Sequence, residues 1–182
     1  MSPETIFRIQ LVLGYVAWLL CFGAYFWPRL KAMDRFDAQR VIAAVHSFRF
    51  FGLVFILPGI VGPAISAKFT LFAAYGDFAT GVLAILALLT VRVRPLFWFF
   101  AVAFNLAGVT DLLVDYYHAI QVGLPAMAGQ LGATYAIPIV YVPVLMITHV
   151  AAFYLLLRPL VRSGHLLGLN EVNGPGGRPL PL

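Results

Sequence analysis

The chain of 182 residues is 62% hydrophobic and only 10% charged, with a mean hydropathy of +0.94, where an ordinary soluble domain carries about 25% charged residues. Its 12 Lys and Arg and 7 Asp and Glu cannot cover such a body in water, which excludes a water-soluble globular fold and predicts an integral membrane protein with the lipid bilayer as its main partner. The net charge of +5 comes from basic residues scattered over short segments, so it points to anionic lipid headgroups and not to nucleic acid.

Apolar runs of about 20 residues cross roughly 30 Å of hydrocarbon as helices, and five are present. The expected spans are 6–27, 41–63, 69–90, 96–120 and 133–157. The first has no basic start and no small-residue cleavage site after it, so it reads as a retained span and not as a signal peptide. Asp37 is the expected N-cap of the second. Between these two, Leu30, Met33 and Phe36 recur at helical spacing among charges, which suits either a short interfacial helix or an ordinary loop. Pro58, Gly59, Gly62 and Pro63 predict a break or kink at the end of the second span, and Pro138 and Pro143 predict kinks in the fifth. Backbone polar groups in lipid must be satisfied within the segment, and runs this long without an alternating pattern therefore form helices. Residues 1–169 read as a single all-α membrane domain, a bundle of five transmembrane helices, and the Gly- and Pro-rich residues 170–182 as a disordered tail.

The loops set the expected orientation. Arg29, Lys31, Arg35 and Arg40 lie between the first two spans, Arg92 and Arg94 between the third and fourth, and Arg158, Arg162 and Arg178 beyond the fifth. All fall on one side, and only Arg8 and Lys68 on the other, which places the N-terminus outside and the C-terminus in the cytoplasm of a plasma (inner) membrane.

Function must come from the polar residues inside spans, because each ionisable group there costs about 2.5 to 3.5 kcal/mol on insertion scales and faces the bundle interior with a partner. His46, Arg49, Asp77, Asp111, Asp115, His118 and His149 are the ionisable ones, and Asn105 is neutral. At a rise of about 1.5 Å per residue, Asp77 and Asp111 both fall roughly 12 Å below the outer surface, and Arg49, near the middle, can reach either. A buried pair of Arg49 with one or both acids is expected, fixing helix register with or without a function on top. Asp111, Asp115 and His118 follow i, i+4, i+7 spacing and share a face that could hold a divalent cation or relay protons; Asp115 and His118 also suit plain interface anchoring. His46 and His149 lie at similar depth in the cytoplasmic half, as axial ligation of a b-type haem would require. Gly59 with Gly62, Gly76, Gly81, and Ala103 with Ala107 and Gly108 let helices approach closely.

Cys21 is the single cysteine, so neither an internal disulfide nor a cysteine-based metal cluster can form. No lysine lies within a span, which excludes a retinal Schiff base, and no pair of histidines one turn apart flanks a glutamate, which excludes a zincin. The leading expectation is a non-enzymatic protein that binds or transports a small ligand, cation or protons through Arg49, Asp77, Asn105, Asp111 and Asp115. A haem protein with His46 and His149 as ligands, a membrane enzyme acting on a lipid or isoprenoid, and an accessory subunit stay open as alternatives. Five spans do not divide into two equal repeats, although a homodimer would restore symmetry.

Overall fold

A computed structural model of the chain describes residues 1–158, and the 170–182 tail lies outside them. Among the described residues there are helices and turns but no strand. Five helices are long and apolar enough to cross a membrane: α1 (Pro3–Ala32), α2 (Arg35–Ile56), α3 (Ala67–Leu89), α4 (Arg94–Gln121) and α5 (Ile137–Leu157). α3 packs between α2 and α4, α5 lies on both α2 and α4, and α1 sits outside against α5.

The helix ends show where local chemistry overrides hydropathy. α1 continues past Trp27 to Ala32, so Leu30 belongs to this helix, where it is buried. α2 starts at Arg35, six residues before its apolar run. Its N-cap is Asp34 and not Asp37: Asp34 Oδ1 accepts from the backbone N–H of Phe36 (2.8 Å) and of Asp37 (2.9 Å). Asp37 lies in the first turn and pairs with Arg40 at 2.8 Å. At its far end α2 stops at Ile56, short of the Pro58–Pro63 cluster, where Gly59 takes a positive φ of 81°. The chain then crosses the end of the bundle, and Gly62 N–H donates to the Gln130 carbonyl at 2.7 Å.

Two prolines shape α5. The helix opens with a wide π turn over Ile137–Tyr141, and Pro143 lacks the N–H that would satisfy the Ile139 carbonyl in a regular helix. Gly14 of α1 lies against this carbonyl so closely that an added Cβ would overlap it. One residue on, the Val140 carbonyl accepts from the Trp18 indole at 2.8 Å. The proline-loosened start of α5 is thus where α1 docks.

The apolar core divides into two clusters. One holds Phe22, Ile42, Ala84, Phe97, Phe104 and Leu155, and the other Phe7, Phe55, Phe69, Leu124, Leu131 and Ile137. Arg49, Asp77, Asn105, Asp111 and His149, all buried, belong to neither. On the outside, large apolar side chains such as Leu20, Phe51, Leu106 and Val150 are exposed on α1, α2, α4 and α5.

The cap can be tested directly. Hydrogen bonds from the backbone N–H of Asp37 and Phe36 hold the Asp34 carboxyl below the usual carboxylate range. A depressed folded value means that the stabilisation is fully present above the unfolded value of about 4 and fades as pH falls through the folded one. Asp34→Ala is expected to lower stability by about 1 kcal/mol at pH 7, and Asp34→Asn by less. In thermal unfolding of the detergent-solubilised protein, the gap between the wild type and Asp34→Ala should shrink once the pH drops below about 4.

Candidate functional site

The second half of α2 carries the centre of the site. From Ser47 to Ile56 the helix tightens to 3₁₀ geometry, with three residues per turn. Residues three apart would drift by about 60° per step on an α-helix, but here His46, Arg49, Gly52 and Phe55 stay in line, and all four are buried. This line faces α3, α4 and α5. A 3₁₀ run of this length is uncommon, and it matches two glycine contacts: Gly81 of α3 lies against the Phe50 backbone N–H, and a Cβ on Gly52 would overlap Asp77.

Arg49 has no exposed surface, and all three of its guanidinium nitrogens are engaged. Nε donates to Asp77 Oδ1 at 2.7 Å, and Nη2 lies 2.7 Å from the same oxygen. Nη2 also donates to Asp111 Oδ2 at 2.5 Å. Nη1 donates to the Gly108 carbonyl at 3.3 Å and faces His149 Nε2 at 3.4 Å. The expected pairing with Asp77 or Asp111 is therefore present with both acids at once, and no guanidinium nitrogen is left over for an anionic ligand.

The network continues in one direction. Asn105 Nδ2 donates to the Ala101 carbonyl (2.8 Å) and to Gln39 Oε1 (3.3 Å), which turns Asn105 Oδ1 toward His149 Nδ1 at 3.0 Å. His149 Nδ1 therefore carries the proton, and Nε2 is left as the acceptor facing Arg49. Gln39 Nε2 closes the chain on the Ala152 carbonyl at 2.9 Å. Residues from α2, α3, α4 and α5 are thus joined from Ala152 to Asp77.

Glycines make this density possible. An added Cβ on Gly76 would overlap Asp111 Oδ1, and one on Gly108 would come within 2.5 Å of His149 Nε2 and 2.6 Å of Arg49 Nη1. Gly52, Gly76 and Gly108 each border a charged member of the cluster, so their role is wider than helix packing.

The remaining candidates separate. His46 Nε2 bonds Thr148 Oγ1 at 3.0 Å, and its ring packs on His149 with centroids 4.0 Å apart and planes tilted by 40°. A doubly ligated haem needs its two imidazoles on opposite faces of the macrocycle, so rings in direct contact give the haem reading no support. On α4 the predicted row diverges: Asp111 turns to Arg49, Asp115 lines a cavity, and His118 sits edge-on against Phe72 with centroids 5.0 Å apart. Among the described residues no three His, Cys, Asp or Glu lie close enough to hold a metal ion. Asp111 Oδ1, Asp115 Oδ1, His46 Nδ1, His118 Nδ1 and Thr80 Oγ1 are buried without a hydrogen-bond partner among the described residues.

The cavity has a volume of about 440 Å³, within the range of small-molecule sites. It lies where α1 begins and α4 ends. Its walls are apolar, formed by Phe7 and Leu11 of α1, Phe55, Phe69, Ile120 and Leu131, while Asp77 and Asp115 supply its acidic surface. Beside it the Tyr116 and Tyr15 hydroxyls meet at 2.6 Å and tie α4 to α1. Arg8, also in the wall, is paired with Glu4 at 2.6 Å.

Sequence reasoning passed over Gln39 and Thr148. A usable signal existed for the first, since Gln39 and His46 are seven apart and share a helix face. Thr148 precedes His149, and nothing in its spacing marks it.

The arrangement defines a class: an all-helical chain with five membrane-length helices and a buried Arg–Asp network bordering an apolar cavity. The chain belongs to the family described as a domain of unknown function (DUF8737), whose profile matches residues 6–157. No curated protein and no solved structure matches it.

Removing one partner of a buried ion pair costs about 3–5 kcal/mol, because the other is left uncompensated. Arg49→Ala is expected to destabilise the detergent-solubilised protein by that order, and adding Asp77→Asn or Asp111→Asn should restore part of the loss. If neither double variant melts above Arg49→Ala, the pairing carries no energetic weight. Gly108→Ala, which adds one methyl group against Arg49 and His149, should also lower the melting temperature, whereas Gly23→Ala should not, since open space surrounds a Cβ at Gly23.

Proposed function

We propose that this is a multi-pass integral membrane protein that binds a small ligand in the cavity bordered by Asp77 and Asp115. The observation that carries this reading is the continuity between a cavity of about 440 Å³ and the charged network, at Asp77, which lines the one and belongs to the other. Arg49, Asn105 and His149 act behind the wall: they hold Asp77 in place, and Asp111 is a second acceptor for Nη2 of the guanidinium. Transport of the ligand would use the same site, as an opening of the bundle around it.

The membrane part of the proposal rests on the five apolar helices and on the large apolar side chains they expose, a surface that water would penalise at about 25 cal/mol per Å². The basic residues of the connections, Arg29, Lys31, Arg35, Arg40, Arg92 and Arg94, support a reading with the N-terminus outward and the cavity in the outer half of a plasma or inner membrane. The enzyme alternative gains nothing from the placement of the histidines, since neither His46 nor His149 lines the cavity.

Two measurements test these statements. In a Cys21→Ala background, a membrane-impermeant maleimide should label Ser2→Cys on intact cells and Arg92→Cys only after permeabilisation; the reverse pattern would invert the topology. For the cavity, N-phenyl-1-naphthylamine, a small and largely apolar fluorophore, should bind the protein in nanodiscs saturably at one site per chain. Ala119→Trp, which puts an indole into the cavity wall, should weaken this binding at least about tenfold, since each tenfold is only about 1.4 kcal/mol. Non-saturable partitioning, equal in both proteins, would contradict a ligand cavity.

A further inference from the structure

The charges around the cavity do not balance. Among the described residues Arg49 is the one basic side chain in salt-bridge contact with the buried acids, and it is shared between Asp77 and Asp111. Asp115, one turn beyond Asp111 on α4, lines the cavity, and among the described residues no basic side chain is in salt-bridge contact with it and its buried Oδ1 has no hydrogen-bond partner. Asp111 keeps a second such oxygen, Oδ1, although the residue is only 6% exposed. Three carboxylates therefore share one guanidinium in a largely apolar bundle, where an uncompensated charge is costly. Arg8 does not correct the balance, since its charge is matched by Glu4.

The rest of the cavity is apolar and aromatic, with Phe7, Phe55 and Phe69 in its walls. Such rings also suit a cation through their faces. A ligand that suits this site must bring positive charge for the Asp115 and Asp77 end and an apolar body for the remainder.

We propose that the ligand is a lipophilic monocation, an amine or quaternary ammonium with an apolar body, whose head sits between Asp115 and Asp77. This rests on the cavity being a ligand site. A metal cation is a poorer complement, because most of the wall offers it no oxygen ligand. Arg49 neutralises one of the three carboxylate charges, and the head group takes up the one that Asp115 presents to the cavity.

The test uses three probes that share one alkyl chain: decyltrimethylammonium, decanol and decanoate. Each is titrated against bound N-phenyl-1-naphthylamine in zwitterionic nanodiscs, with Ala119→Trp as the blank for partitioning into lipid. The cation should displace the fluorophore at a concentration at least about tenfold lower than decanol, and decanoate should be the weakest. In Asp115→Asn, with both competitors read against that variant's own fluorophore affinity, the advantage of the cation over decanol should fall to less than about threefold. Equal potency of the cation and decanol in the wild type would overturn the proposal and mean that a proton supplies the missing charge; an undiminished preference in Asp115→Asn would overturn it as well. Both results leave the cavity in place as a ligand site, whereas absence of saturable fluorophore binding removes the cavity reading and this proposal with it.

Discussion

A guanidinium with no exposed surface needs an acceptor for each of its N–H groups and a compensating charge, and the interior of this bundle is arranged to supply both for Arg49. Asp77 and Asp111 come from two different helices, and Gly108 and His149 take up the third nitrogen. Because the partners sit on α3, α4 and α5, the relative rotation of these helices about α2 is restricted. An ion pair in an apolar interior is weak as a net stabiliser but severe as a constraint, since any slip that separates the charges strands one of them.

That constraint reaches into the backbone. For Arg49 to meet acids on two neighbours, α2 has to come close to α3, and it does so through Gly52 and Gly81. The 3₁₀ winding from Ser47 onward keeps His46, Arg49, Gly52 and Phe55 on one line, so that one narrow stripe carries an imidazole, a cation, a gap for Asp77 and an aromatic ring of the cavity wall. The tight helix, the glycines and the charges are one device. The cavity lies on the other side of Asp77, where the start of α1 and the proline-loosened start of α5 leave room that the side chains do not fill.

Much of this was legible in the sequence. The five apolar runs stood out because hydropathy over about 20 residues is a strong signal, and the pairing of Arg49 with Asp77 and Asp111 followed from counting along them. The ends of α2 were less legible: its start at Asp34 is set by a side-chain cap outside the apolar run, and its end at Ile56 precedes the prolines that seemed to mark it. His46 and His149 could be matched in depth, but a depth match does not distinguish ring-on-ring packing from ligation across a cofactor. Gln39 escaped because an uncharged amide stands out less among apolar neighbours than a charge does. Glycines such as Gly76 and Gly108 read only as small residues, since what faces them depends on the rotation of the opposing helices. The cavity had no signal at all; it is assembled from side chains of all five helices and the segment before α5, most of them ordinary apolar residues.

The account turns on Arg49 being held between two carboxylates and shielded from water, and arginine side-chain hydrogen exchange reads that state most directly. With the protein labelled at the arginine guanidinium nitrogens, the Nε–H resonance of Arg49, assigned through Arg49→Lys, should persist in heavy water long after those of exposed arginines such as Arg8 and Arg40 have vanished. It should also shift in Asp77→Asn. Exchange of the Arg49 Nε–H as fast as that of the exposed arginines would contradict a buried, doubly paired guanidinium and the arrangement of helices built around it.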